Sequence, residues 1–387
     1  MNQRNYIDSP LLFAVLTLMF LSLGVVYSAS ASWALAKYGE SERMLISHAV
    51  KVFLGIIVLF TGMRIDYRKI QHLTKLALVG AVVLLGITLV LGGEAKGATR
   101  WLRYSSIGFQ PSEFAKYALL FHLCALAAVK GDCLRDFRKG FVPMVVWIVA
   151  VTVLVMLQPN FSMGMIIFLL GVVVLFVSRV KVSHLLLLFA VMIPVLAVYM
   201  LSREYRRARI MSFFGSERST HAGNYQSIQG IIGFGNGGIF GVGPGESKQR
   251  DLFLPESYGD FVFSIVGEEY GFIGTMFVVS LFVLIMVRGF KIARYAEDAF
   301  GRNLAIAVTS AVTVYALVNA CVTIGIVPTT GLPMPFVSYG GSSMVFSAFA
   351  VGLLLNISSQ TDMHPRAREI PVVGTVDADA ATAGKVY

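Results

Sequence analysis

The residues of this chain that could do chemistry are few, and they stand at the ends of long apolar runs. Asp260 closes the stretch Leu254-Pro255-Glu256-Ser257-Tyr258-Gly259-Asp260-Phe261, where a polar segment gives way to an apolar one. A carboxylate at such a boundary is partly desolvated, which suits it to accept a proton. The same position suits a helix N-cap, and the residues leave the two readings balanced. Glu268 and Glu269 lie about two turns further on. Paired acids inside a membrane helix are costly, so they are expected to face a polar interior or a partner.

Glu113 and Lys116 follow Gln110-Pro111-Ser112, and Pro111 fits the first turn of a helix. Three residues apart, they share one helix face. They make either a local ion pair worth roughly 0.2–0.5 kcal/mol or an ionisable pair kept in the bilayer for function. The expectation is the second.

Other stretches are less specific. Arg203, Arg206, Arg207 and Arg209 would meet lipid headgroups by snorkelling or hold an anionic ligand. Between Asn224 and Arg250 lie Gly230, Gly233, Gly235, Gly237, Gly238, Gly241, Gly243 and Gly245. Glycines let backbone amides approach a phosphate, and they also make a merely flexible loop. Gln158-Pro159-Asn160 reads as ordinary turn chemistry. The uncharged, Pro-broken stretch from Pro328 to Ser343 reads as a re-entrant loop lining a cavity.

The elements that must position these residues are read from composition. Hydrophobic residues make up 56% of the 387 positions and charged residues 14%, where a soluble domain carries about a quarter charged. Ten runs approach the roughly 20 residues that cross a bilayer. They lie near 10–31, 45–63, 74–92, 112–129, 141–157, 163–179, 184–201, 261–287, 303–325 and 340–358. Backbone groups in lipid need internal partners, so these are helices. The predicted fold is an all-α polytopic membrane protein, with a transmembrane domain over 1–358. One large loop, 202–259, joins helices 7 and 8, and the tail 359–387 is expected to be disordered. The first run is too long for a cleavable signal peptide, so it is expected to remain as an anchor. Cys124, Cys133 and Cys321 lack metal-ligand spacing.

The net charge of +10 does not point to nucleic acid, because its placement is a topology signal. With the amino terminus inside, the short inner loops hold Arg64, Arg68, Lys69, Lys75, Lys130, Arg135, Arg138, Lys139, Arg179, Lys181, Arg288, Lys291, Arg294 and Arg302. The short outer loops hold Lys37, Arg43, Lys96, Arg100 and Arg103. The asymmetry places both termini in the cytoplasm and the large loop outside. The polar stretches above then converge on the outer face.

Taken together, the stretches resemble the shape, elongation, division and sporulation family, to which FtsW, RodA and SpoVE belong. The matching pieces are Arg100-Trp101, Gln110-Pro111-Ser112-Glu113 with Lys116, Tyr225-Gln226, and Gly238 with Gly241 and Gly243. Leu254-Pro255-Glu256, Asp260-Phe261, Gly267-Glu268-Glu269 with Gly271, and Pro333 with Pro335 through Ser343 complete the set. The resemblance implies a peptidoglycan glycosyltransferase of the cytoplasmic (inner) membrane that polymerises lipid II on its outer face and releases undecaprenyl pyrophosphate. It places the general base on Asp260, with Glu113 orienting Lys116 or the acceptor. Arg100, Lys116 and Arg209 would neutralise developing charge. Trp101, Tyr225, Gln226, Glu256, Ser338 and Ser342 would line the substrate site. A divalent cation, Mg or Mn, would be compatible with this chemistry, with its ligands unassigned. The resemblance also implies a class B penicillin-binding protein as partner, with other divisome proteins and membrane lipids.

Two positions depart from the family pattern: Tyr258-Gly259 precedes the aspartate, and Asn160 stands where the family carries Asp. Gly243-Pro244-Gly245-Glu246-Ser247-Lys248-Gln249 and the extended tail favour the division branch, FtsW, over elongation by RodA. The rival readings are a lipid II flippase, with a site at mid-membrane, and a scaffold that needs no proton acceptor.

Overall fold

Each long apolar run folds as a helix, because only a helix satisfies its own backbone within lipid. The computed structural model describes residues 7–91, 93–95, 98–104, 107–202, 207, 213 and 222–361. Helices α1 (Ser9–Tyr38), α2 (Arg43–Arg64) and α3 (Tyr67–Leu91) lead into three short antiparallel strands. These are β1 (Gly93–Ala95), β2 (Ala98–Tyr104) and β3 (Ile107–Phe109). Then come α4 (Pro111–Lys130), α5 (Val142–Leu157), α6 (Phe161–Val177) and α7 (Val182–Leu201). After these stand α8 (Ala222–Gly237), α9 (Val262–Arg294), α10 (Ala299–Thr323) and α11 (Gly341–Ser359). Among the described residues nine helices are long and apolar enough to cross a membrane, and α6 is a shorter apolar helix. All ten predicted runs are therefore helical.

The described part of the large loop is more ordered than a Gly-rich sequence suggests, since it carries α8 and a π-helical turn, Gln249–Phe253. Ser359 ends α11, Gln360 caps it and Thr361 follows in a bend, and the rest of the tail lies outside the described residues.

Glycines of this loop have a definite packing task in this structure. Helix α9 breaks at Gly271 (φ 63°, ψ −159°), and the loop from Gly238 to Gly243 fills the break. The freed N–H groups of Phe272 and Ile273 donate to the carbonyls of Gly238 (2.9 Å) and Ile239 (3.2 Å). In return Val242 and Gly243 donate to the carbonyls of Glu268 (2.9 Å) and Glu269 (3.1 Å). Backbone groups freed inside a membrane protein must find partners, and here another segment of the chain supplies them. The approach leaves no room for side chains: a Cβ on Gly241 would lie 2.1 Å from the Glu269 carbonyl oxygen, and one on Gly271 would lie 2.4 Å from the Gly241 nitrogen. Both glycines also hold positive φ, where a Cβ costs about 1–2 kcal/mol before any clash. Gly241→Ala is therefore expected to lower the thermal unfolding midpoint of the purified protein by several degrees or more. An unchanged midpoint would show that the loop is not wedged against α9.

At the far end of the bundle, the chain is fastened by polar contacts. Asp8 caps α1 by accepting from the Leu11 N–H (3.0 Å) and pairs with Arg288 of α9 at 2.6 Å. The Tyr67 N–H donates to the side chain of Asn356 on α11 (3.1 Å). The lower half of α9 is thus held to α1, while its upper half is held by the loop.

Candidate active site

The near end of the bundle gathers the residues that could do chemistry. Asp260 lies in the turn before α9, and the helix cap is Phe261, so the aspartate is not the N-cap. Asn319, on α10, donates to the Asp260 carbonyl (2.7 Å) and to the Leu332 carbonyl (2.8 Å). One buried amide therefore ties the Asp260 turn to the Pro-rich loop that precedes α11. Gly331 of that loop faces the carboxylate, and a Cβ there would meet Asp260 Oδ2 at 3.4 Å.

The departure at Tyr258 has a structural reason. Its ring packs between Trp33 of α1 (5.3 Å) and Tyr339 (5.7 Å, nearly perpendicular), and its carbonyl accepts from the Tyr339 N–H (2.9 Å). Edge-to-face aromatic contacts of this kind add about 0.5–1.5 kcal/mol each beyond burial. Burial also pushes the Tyr258 phenol above its usual range, so it stays neutral. This clamp fixes the backbone two residues ahead of Asp260.

Glu113 and Lys116 do form a pair, at 2.7 Å, with each side chain 1% exposed. The ammonium also lies over the rings of Tyr315 (3.9 Å) and Tyr117 (4.6 Å). In this structure the ammonium is enclosed by Glu113 and the two rings. Its link to Asp260 runs through α10. Tyr315 and Asn319 are four residues apart on that helix, one turn or about 6 Å, so one face receives Lys116 and the next turn holds the Asp260 backbone.

Gln226 donates to the Pro255 carbonyl (3.3 Å), tying α8 to the Asp260 turn, and Tyr225 on the same helix is exposed. Glu256 adopts a left-handed backbone (φ 58°) at the head of that turn, and its carbonyl accepts from Gly259 N–H (2.9 Å). The Ser338 hydroxyl accepts from Met334 N–H (2.8 Å) and the Ser342 hydroxyl from Gln110 N–H (3.0 Å). Both serines are buried, so in this structure they set the loop and join it to the start of α4. Trp101 is half-buried on β2, across from Gly93. The side chain of Arg100 and all of Arg209 lie outside the described residues.

Glu268 and Glu269 find the polar surroundings expected of them. Glu268 accepts from Asn236 (3.1 Å), from the Ser247 hydroxyl and from Gln249 N–H (3.1 Å). Glu269 accepts from the Ser28 hydroxyl of α1. Gln158 donates to the Leu85 carbonyl (3.0 Å), and Asn160 begins α6 without a side-chain cap.

The family described as "Cell cycle protein", that of FtsW, RodA and SpoVE, matches residues 9–363. The chain belongs to the FtsW/RodA/SpoVE family. It is 34% identical over 360 residues to a protein named probable peptidoglycan glycosyltransferase FtsW from Geobacter sulfurreducens, with 92% of this chain and 96% of the relative covered. Stage V sporulation protein E of Bacillus subtilis is 34% identical over 352 residues, 90% of this chain and 96% of that protein. A solved structure described as "Structural coordination of polymerization and crosslinking by a peptidoglycan synthase complex" is similar with a TM-score of 0.76. That match has 26% identity and covers 93% of this chain and 99% of the other.

Within this FtsW/RodA/SpoVE-family chain, three residues at this end of the bundle were not singled out in the sequence: Asn319, Tyr315 and Lys51, whose ammonium lies 3.4 Å from the centre of the Tyr339 ring. Each carried a signal. Asn319 and Lys51 are polar residues inside apolar runs, and Tyr315 stands one turn before Asn319. Polar groups at membrane depth face a protein interior or a cavity.

Proposed function

We propose that the chain polymerises lipid II into glycan strands on the outer face of the cytoplasmic membrane, with release of undecaprenyl pyrophosphate. The observation that carries this reading is the placement of Asp260. Its turn is fixed by Asn319 and by the Tyr258–Tyr339 clamp, and its carboxylate lies where a Cβ on Gly331 would meet it at 3.4 Å. The carboxylate takes the proton of the acceptor sugar hydroxyl. The hydroxyl oxygen bonds to the donor's anomeric carbon, the bond from that carbon to the pyrophosphate oxygen breaks, and the electron pair leaves with undecaprenyl pyrophosphate. Arg100 and Arg209 neutralise the charge that gathers there. The Glu113–Lys116 pair acts through α10 on the position of Asp260. Mg2+ or Mn2+ would supply the same neutralisation; among the described residues no group of three or more His, Cys, Asp or Glu side chains gathers to hold a metal.

The relatives named FtsW support the division branch over elongation, and the match to a peptidoglycan synthase complex supports a class B penicillin-binding protein as partner. Other divisome proteins and the surrounding lipids complete the partners. The distribution of Lys and Arg supports cytoplasmic termini and an outward-facing site.

The test is reconstitution in vesicles with fluorescent lipid II, reading polymer and translocation in the same sample. Polymer formed only when the near end of the bundle faces the lipid II supports the reading. Translocation of lipid II without polymer, in the presence of the transpeptidase partner, overturns it in favour of a flippase.

A further inference from the structure

Lys51 lies nine residues into α2, well inside an apolar segment. A lysine in such a helix ordinarily snorkels along its stem toward the lipid headgroups. This one does not face lipid. Its stem runs against Gly341 at the start of α11, where a Cβ would meet Lys51 Cδ and Cε at 3.6 Å. Its Nζ sits 3.4 Å from the centre of the Tyr339 ring. The same ring is fixed on its other contacts. Ser47 shares a 3.0 Å hydrogen bond with the Tyr339 hydroxyl, His48 lies 5.7 Å away and Tyr258 packs edge-on at 5.7 Å. Tyr339 therefore stands between Lys51 and the turn that carries Asp260.

Among the described residues no carboxylate lies within 4.0 Å of the Lys51 ammonium. The contrast with Lys116 is informative, since that ammonium has Glu113 at 2.7 Å and is enclosed. Lys51 is only half-buried, and an aromatic face is a weaker partner for a cation than a carboxylate. A cation on a membrane helix, turned inward and left without a counter-charge, fits an anionic ligand. The compact point charge of a lysine matches a phosphate oxygen.

We propose that Lys51 binds the pyrophosphate of the lipid-linked sugar donor, beside the Tyr339 ring and next to the Asp260 turn. This rests on the reading of the site as a polymerase of a pyrophosphate-linked lipid. It assigns a substrate-binding role to a side chain on α2. Lys51 and Asp260 then divide the work. Lys51 holds the phosphate end of the donor, and Asp260 takes the proton from the acceptor.

The experiment is binding of undecaprenyl pyrophosphate to the full-length protein in detergent, followed by initial rates of lipid II polymerisation with the transpeptidase partner. Lys51→Met is expected to weaken binding of undecaprenyl pyrophosphate about tenfold and to raise the KM for lipid II by a similar factor. Its kcat should change much less. Lys51→Arg should stay within about twofold of wild type in both measurements. Lys51→Gln gives a second neutral variant should Lys51→Met not accumulate, and it should behave as Met does. Equal binding by wild type and the neutral variants overturns the proposal, as does a loss of kcat at constant KM. A wild type that binds undecaprenyl pyrophosphate through Lys51 but makes no polymer would leave the anion site standing and refute the polymerase reading instead.

Discussion

Lys116→Met is expected to destabilise the protein by about 3–5 kcal/mol, the cost of leaving a buried carboxylate without its partner. Glu113 is 1% exposed and has the Lys116 ammonium at 2.7 Å, so the variant strands a negative charge inside the bundle. The double variant Glu113→Gln/Lys116→Met removes both charges and should restore accumulation in the membrane. Its activity then separates two roles. The ammonium also holds Tyr315 at 3.9 Å, one turn from the Asn319 that binds the Asp260 backbone. The double variant should therefore fold well and polymerise at under a tenth of the wild-type rate, with little change in KM. Full activity in the double variant would make the pair a stability element alone. Failure of the double variant to accumulate would contradict the view that the stranded charge is the main defect.

Asp260→Ala is expected to leave membrane insertion, partner binding and lipid II binding intact while lowering kcat by about 10²–10⁴, the range that a positioned general base contributes. The reason lies in how the turn is held. Asn319 bonds to the Asp260 carbonyl, not to its carboxylate, and the Tyr258 clamp acts on the backbone two residues earlier. These restraints survive truncation of the side chain. Asp260→Asn should behave as the alanine variant does, because it keeps the shape and loses the proton acceptor. A fall in lipid II binding of the same size as the fall in rate would move Asp260 from proton transfer to substrate binding.

The fold was legible in the sequence because its signal is long and redundant. Ten apolar runs each specify a helix independently, and no contact between them is needed to see it. The polar stretches were equally visible, as groups that an apolar helix end does not need. Their connections were not. That Gly241 and Gly271 meet across a break in α9 depends on two segments some thirty residues apart approaching within a Cβ radius, and a run of glycines reads the same in a loose loop. Lys116 offered an accessible cation by spacing alone, and only packing against Tyr315 and Tyr117 encloses it. Asn319 and Lys51 were missed for the opposite reason. Each is a polar residue in a mostly apolar run, and its meaning comes from the loop it touches across the bundle.

The measurement that bears most directly on the account is glycan synthesis by the purified protein with a class B penicillin-binding protein whose transpeptidase serine is disabled. Wild type and Asp260→Ala are run side by side on labelled lipid II and resolved on a gel. A ladder of glycan strands is expected from the wild type and none from the variant, with the complex intact in both. A ladder of equal strength from Asp260→Ala would contradict it.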